Sequence, residues 1–281
     1  MKVVTTIAEL RRQIATWRAD GETVALVPTM GALHAGHLML VHAAHQHAER
    51  VCATIFVNPT QFAPNEDFAS YPRKEQSDRD LLRDEGTDLL FMPSVEEMYP
   101  VGHTTRVRVA AVAQTLEEDH RPAHFDGVAT VVAKLLLQAL PDVALFGEKD
   151  FQQLLVIRRM VRDLDIPVRI EGVPTVREAD GLALSSRNAY LTTEERAIAP
   201  ALHRTLTAVA RAVARGGAPE RETADATETL LRAGFRKVDY VAVRDAETLE
   251  SVSDDSRPAR VLAAAWLGRA RLIDNVPVTS G

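Results

Sequence analysis

Residues 23–48 read Thr23-Val-Ala-Leu-Val-Pro-Thr-Met-Gly-Ala-Leu-His-Ala-Gly-His-Leu-Met-Leu-Val-His-Ala-Ala-His-Gln-His-Ala48, and their reading decides the fold. Thr23 to Val27 is a short apolar, β-favouring run stopped by Pro28, which predicts a buried strand. From Leu38 onward Leu, Val and Ala dominate, with His42, His45 and Gln46 interspersed, which suits a mostly buried helix. Between them lies a turn holding Gly31 and Gly36 and closed by His34-Ala35-Gly36-His37. Strand, glycine loop, helix is an arrangement that aims free backbone N–H groups and the positive helix end at an anion. The two histidines beside that helix start add donors. The stretch reads as a nucleotide phosphate cradle.

Two familiar phosphate loops do not fit. Gly31 and Gly36 have the spacing of a P-loop, but His37-Leu38 stands where Lys-Ser/Thr is required, and no G-x-G-x-x-G follows the strand. What remains, His34-Ala-Gly-His37, resembles the H-x-G-H signature of the nucleotidyltransferase and class I aminoacyl-tRNA synthetase superfamily. By itself it also fits a plain βα turn with a histidine cap. A zinc module is the competing use of His34, His37, His42, His45 and His47, but neither carboxylate nor cysteine joins them at ligand spacing.

At 281 residues the chain can bury a large core, and 46% hydrophobic with 26% charged residues describes an ordinary globular protein. A formal net charge of −6 without any Lys/Arg block argues against nucleic acid as a partner. The single cysteine, Cys52, lies in an apolar run and reads as a core residue rather than half of a disulfide. The Met1-Lys-Val-Val-Thr-Thr start lacks a signal-peptide core, and no apolar run is long enough to span a membrane, so the expectation is a cytoplasmic protein.

Along the chain, apolar strands alternate with helices, the sign of a parallel sheet covered on both faces. Helix is predicted over 5–19, with Thr6 and Glu9 as a capping box, from about residue 37, and over 77–85, 127–140 and 151–163. Strands are predicted at 23–28, 50–57, 88–92, 107–112, 143–146 and 168–173. After about residue 175 the character changes. A polar loop spans 178–190, Thr192-x-x-Glu195 caps one long helix reaching Gly216 and kinked at Pro200, and a second helix covers about 220–233. Runs at 237–243, 259–266 and 271–276 predict a small antiparallel sheet. The expectation is an α/β domain with a parallel sheet covered on both faces at 1–175, followed by a smaller α+β domain at 176–281, with 178–190 as hinge or lid.

Three further stretches carry chemistry. Phe146-Gly-Glu-Lys-Asp-Phe-Gln-Gln153 follows a strand and precedes a helix, so Gly147, Glu148, Lys149 and Asp150 should face the same crevice as His34 and His37. Lys149 offers a point charge to phosphate, and Gln153 offers both donor and acceptor. Leu184-Ser-Ser-Arg187 supplies two hydroxyls and a guanidinium, all able to donate to phosphate oxygens. Phe56-Val-Asn-Pro-Thr-Gln-Phe62 sets the amides Asn58 and Gln61 beside two aromatic rings, a mixture suited to a small polar substrate with an aliphatic body.

Together with His120-Arg-Pro-Ala-His-Phe-Asp-Gly-Val128, these stretches resemble the pantothenate synthetase (pantoate–β-alanine ligase) family, in its order and spacing from the first helix to the C-terminal strands. Ala123 and Ala189 stand where glycine is common in it, and Leu184 where methionine is usual. The resemblance implies that Met30, Gly31, Ala32, Leu33, His34, Ala35, Gly36 and His37 bind ATP, with His37 the proton donor. It implies that Gly147, Glu148, Lys149, Asp150, Val176, Leu184, Ser185, Ser186 and Arg187 complete the ATP site. Gln61 would hold pantoate and border β-alanine, and Gln153 would hold pantoate. It further implies a Rossmann-like doubly wound N-terminal domain, a pantoyl-adenylate intermediate, Mg²⁺ on the triphosphate, a homodimer, and a lid role for the C-terminal domain. No residue is thereby named as a metal ligand; Asp78 and Asp80 are candidates without support.

Overall fold

The computed structural model describes residues 1–63, 68–69, 71–252 and 258–279. It separates into two compact units, Met1–Glu148 with Gln153–Pro174, and Lys149–Gln152 with Thr175–Gly281.

In chain order the first unit carries β1 (Lys2–Val4), α1 (Ile7–Ala19), β2 (Val24–Thr29), α2 (Ala35–Ala44), β3 (Arg50–Ile55), α3 (Glu75–Asp84), β4 (Leu89–Phe91), α4 (Val95–Met98), α5 (His124–Ala139), β5 (Val143–Gly147), most of α6 (Phe151–Asp163) and β6 (Arg169–Val173). The strands form one parallel sheet in the order β1-β4-β3-β2-β5-β6. From β2 the chain winds outward through β3 and β4; with β5 it returns to the other side of β2 and continues to β6. The direction therefore reverses between β2 and β5, and in such sheets ligands bind outside the carboxyl ends of the strands at that reversal.

The four central strands, β4, β3, β2 and β5, are buried on both faces, which is why they are apolar runs rather than alternations. Ala25 and Val27 of β2, Val51 and Ala53 of β3, and Val143 and Leu145 of β5 pack with Leu40, Val41 and Ala44 of α2 and Leu82 of α3. The intervening Val24, Leu26, Cys52, Leu89 and Phe91 are buried as well, on the side that α5 covers beside α1. Burial pushes the Cys52 thiol up to about 12, so it stays protonated and inert.

Pro28 does not stop β2 but lies within it. Thr23 O and Thr29 O accept from β3-side amides, Arg50 N and Phe56 N, whereas Val24 O accepts from Asp142 N beside β5. By the two-residue period, the nitrogen of Pro28 faces β5, where pairing with β2 is confined to Ala25–Val143 and Leu26–Ala144. The imino acid sits where the ladder has already ended, as a donorless residue must.

Elsewhere the sequence expectations needed adjustment. Thr6 and Glu9 form the capping box of α1 as expected. The run at 107–112 is not a strand: Val107 N donates to Thr130 Oγ1 of α5 instead of to a neighbouring strand, and Ala111, at φ 56, turns the chain into a short 3-10 helix. β1 was not anticipated, three residues being too few to show a period.

The second unit holds the start of α6, then α7 (Thr193–Ile198), α8 (Ala201–Ala214), α9 (Pro219–Ala233) and an antiparallel sheet of β7 (Lys237–Asp245), β8 (Ala259–Leu267) and β9 (Ala270–Val278). Thr192 and Glu195 cap α7 as expected, but Pro200 divides the anticipated long helix in two, because it has no N–H for the α7 ladder. Leu202, Leu206 and Val209 of α8 and Leu230 of α9 bury themselves on Val261, Ala263 and Ala265 of β8 and Leu272 of β9.

Candidate active site

The loop after β2 is held from below. Asp78, on the first turns of α3 and 2% exposed, accepts Ala32 N at 2.8 Å and Leu33 N at 2.9 Å through its two oxygens. Gly31 has φ +81, and a Cβ there would lie 3.0 Å from Asp78 Oδ2, so the turn needs glycine for both backbone and space. Gly31 N in turn donates to Thr29 Oγ1. Gly31, Ala32 and Leu33 thus spend their amides on Thr29 and Asp78, which fix the loop's shape, and these three are not the free donors the sequence suggested. Asp78 is engaged by the loop amides, and Asp80 bonds Gln76 and Arg83 on the outer face of α3.

The helix begins earlier than its sequence suggested, because His34 is its N-cap. His34 Nδ1 accepts Gly36 N at 3.2 Å, and His37 Nδ1 faces His34 N at 3.4 Å, a histidine version of the capping box. With Nδ1 accepting, the neutral ring of each carries its proton on Nε2. The rings lie 4.1 Å apart between centroids, side by side at the start of α2. His45 and His47 turn elsewhere, to Glu85 O and Arg169, and among the described residues no group of three or more His, Cys, Asp or Glu is placed to hold a metal.

Gln61 lies in a 3-10 turn (Pro59–Gln61) beyond β3, and its amide is oriented by neighbours. Tyr99 OH donates to Asn58 Oδ1 at 2.8 Å, and Asn58 Nδ2 donates to Gln61 Oε1 at 3.0 Å, which turns Gln61 Nε2 towards Met30 Sδ at 3.3 Å. Asn58, 1% exposed, is committed to this work and to Gly127 O rather than to a ligand. Burial pushes the Tyr99 phenol up, so it remains the donor at the head of the chain. From the other side, His124 Nδ1 donates to Gln61 O at 2.8 Å, and Gly127 of α5 lies directly against Thr60 and Gln61. Sequence reasoning missed Tyr99, His124 and the structural duty of Asp78; no local pattern marks a tyrosine forty residues from its partner. Next to Met30 and Phe56 opens a cavity of about 380 Å³ with Ile55, Val57 and Met92 as apolar wall, Arg73, Lys74 and Arg79 as cations, and Glu75 and Asp78 as carboxylates.

Gly147 ends β5 and Glu148 follows it, next to the reversal point, while Gln153 is half-buried on α6. Lys149 and Asp150 pack with the second unit. There, Val176 O accepts Leu184 N and Leu182 O accepts Glu178 N, which makes 176–184 a hairpin with Gly181 at φ +92 in its turn. Arg177 anchors it to β9, forking onto Asp274 at 2.7 and 2.8 Å. Burial raises the Asp274 carboxyl, but the neighbouring His203 and Arg177 outweigh it and leave the group below the usual carboxylate range. Beyond the hairpin, Ser185 Oγ accepts Arg187 N, and Asn188 Nδ2 donates back to Ala183 O, so the Leu184–Arg187 loop is tied at both ends. Ser185, Lys149 and Asp274 line one small cavity in this unit.

Comparison with known proteins follows the same outline. The family model of pantoate–β-alanine ligases matches residues 2–277. Pantothenate synthetases of Paramagnetospirillum magneticum and Caulobacter vibrioides are 59% and 56% identical, over 98% of this chain and 97% and 98% of theirs. A crystal structure of pantothenate synthetase from Thermus thermophilus matches at TM-score 0.90 and 50% identity, over 99% of both chains. A second structure, the pantoate–β-alanine ligase of Francisella tularensis complexed with β,γ-ATP and β-alanine, matches at TM-score 0.84 and 33% identity, over 100% of this chain and 99% of that one. With a doubly wound sheet, a histidine-capped helix at its reversal point and this full-length agreement, the chain belongs to the pantoate–β-alanine ligase family.

Proposed function

We propose that this chain condenses pantoate with β-alanine at the expense of ATP, through a pantoyl-adenylate. What supports the reading most directly is the full-length relationship to pantothenate synthetases, one related structure being a complex with β,γ-ATP and β-alanine together. In the first step a pantoate carboxylate oxygen attacks the α-phosphorus, and the bond to pyrophosphate breaks. In the second the β-alanine nitrogen attacks the acyl carbon, an amide forms, AMP leaves with the C–O bond pair, and the amine gives up a proton. Neither step demands a protein nucleophile; both demand alignment and charge neutralisation.

In this reading Met30 to His37 lie along ATP, and the Nε2–H groups of His34 and His37 donate to phosphate oxygens, His37 serving as proton donor. Gly147 to Asp150, Val176 and Leu184 to Arg187 complete the ATP contacts. Gln61 holds pantoate and borders β-alanine. Its oxygen is taken by Asn58, so it acts towards substrate as a donor. Gln153 holds pantoate too. Mg²⁺ would ride on the triphosphate and neutralise its charge, while Asp78 holds the loop through Ala32 N and Leu33 N. The first unit is the Rossmann-like binding domain, the second takes the lid role, and the enzyme works as a cytoplasmic homodimer; among the described residues no helix is long and apolar enough to cross a membrane.

Isotope exchange tests the mechanism. Pantoate alone should support ATP–pyrophosphate exchange, with β-alanine required only for AMP release. Exchange that needs β-alanine defeats the two-step scheme.

A further inference from the structure

Two adjacent residues of β9, Asp274 and Asn275, are 4% and 5% exposed, far drier than polar side chains usually are. As neighbours on a strand they point to opposite faces of the sheet. Asp274 takes both arms of the Arg177 fork, and Arg177 also donates to Gly181 O at 3.1 Å and Asn275 O at 3.2 Å. That single side chain ties the base of the 176–184 hairpin, its turn and β9 into one piece, and the hairpin runs directly into Ser185-Ser186-Arg187.

Asn275 does the matching work on the other face. Its Nδ2 donates to Lys149 O at 2.9 Å, and its Oδ1 accepts Arg260 NH1 at 2.9 Å, which fixes the orientation of the amide. Arg260 in turn lies over the Phe151 ring, 3.9 Å from its centroid. The 149–152 segment is thereby fastened to the same strand that fastens the hairpin. Buried polar groups with every bond directed are costly unless satisfied, and here they join two segments distant in sequence.

We propose that Asp274 and Asn275 are positioning residues, which act through Arg177 and the Lys149 backbone to set the spacing between Lys149 and the Ser185–Arg187 loop. The inference rests on the ATP roles given above to those two segments. On this reading the β9 dipeptide is a ruler between two phosphate-contacting groups.

The test is a double-mutant cycle on the full chain, read as KM for ATP and kcat in pantoate-dependent pyrophosphate release. Asn275→Ala should raise the ATP KM about ten-fold, the loss of one directed hydrogen bond, while the KM for β-alanine moves less than about two-fold. In a Lys149→Ala background the same substitution should cost under about two-fold, because its route to ATP is already gone. Arg177→Lys, which keeps the charge and loses the fork, should raise the ATP KM in the same direction and lose that effect in a Ser185→Ala/Ser186→Ala background. If Asn275→Ala yields no folded protein, Asn275→Ser enters the same cycle. Equal losses in both backgrounds would reveal a purely structural role and overturn the proposal, as would an unchanged ATP KM. An unsubstituted chain without pantoate-dependent pyrophosphate release would instead defeat the functional reading, and this inference with it.

Discussion

Replacing Gly127 with alanine sets two effects of opposite sign against each other. Gly127 lies inside α5, where alanine is favoured by about 0.5–1 kcal/mol. A Cβ at that point, however, would lie 2.4 Å from Thr60 O, 2.6 Å from Thr60 C and 2.7 Å from Gln61 Cα. Carbon contacts settle at about 3.5–4.0 Å, so helix and turn must part by roughly 1 Å, and the atoms in the way are backbone. Overpacking of this kind costs about 1–3 kcal/mol and wins, for a net loss of about 1–2 kcal/mol, or a fall in Tm of about 2–4 °C. The larger effect is on rate. The displaced turn carries Gln61, and the Asn58–Gly127 bond at 3.2 Å moves with it, so kcat/KM for pantoate should drop on the order of 100-fold. The ATP KM should hold within about two-fold. Thermal unfolding and a pantoate titration of pyrophosphate release measure both. Gly147→Ala, whose Cβ meets nothing within 4 Å, is the control for the unfolding measurement alone, since Gly147 is assigned to the ATP site. A Gly127→Ala protein with unchanged Tm and full kcat/KM for pantoate would refute the idea that α5 braces the substrate amide.

Asp78→Asn leaves an NH₂ facing a backbone N–H of Ala32 or Leu33 and should destabilise the protein by about 1–3 kcal/mol in denaturant titration; a shift under about 0.5 kcal/mol would exclude the loop-holding role. His37→Ala should slow adenylation by about two to four orders of magnitude without loss of fold, and a near-normal rate in rapid-quench assays removes it from the catalytic residues. Gln61→Ala and Gln153→Ala should each weaken pantoate binding roughly 5- to 150-fold and leave ATP binding to the free enzyme nearly unchanged. Calorimetry with both ligands decides it, and a loss confined to ATP would put pantoate elsewhere. Because the folded Asp274 carboxyl lies below its unfolded value of about 3.9, its stabilisation is present above that pH and fades as pH falls through the lower folded value. Asp274→Asn should therefore lower Tm at pH 7 and flatten the acid limb below about pH 4; an acid limb of unchanged slope counts against it.

Much of this architecture was readable because its signals are local. The apolar run before Pro28, the Thr6–Glu9 and Thr192–Glu195 caps, and Gly234 after α9 each announce an element within a few residues. The histidine pair and the amides after β3 were legible for the same reason. What escaped depends on partners far along the chain. Val107 looks like a strand residue until one asks which strand would pair with it, and the answer is a threonine hydroxyl on α5. Asp78 reads as a surface acid or metal ligand because the amides it serves are forty-odd residues earlier. The oriented amide of Gln61 depends on Tyr99, and periodicity carries no trace of such a bond.

Pro28 bears on how the crevice stays open. A parallel sheet tends to zip: each bond formed brings the next donor and acceptor within reach. Between β2 and β5 the zipper halts after Leu26–Ala144, and the next β2 residue on that side has no hydrogen to give. The two strands can diverge towards their carboxyl ends without orphaning an amide, and the loops that follow them start already separated. An opening made this way needs no wedge of side chains and no ligand to prop it. Any residue with an N–H at position 28 would offer the sheet one more tooth to close, so the mouth of the site is protected by chain chemistry rather than by packing.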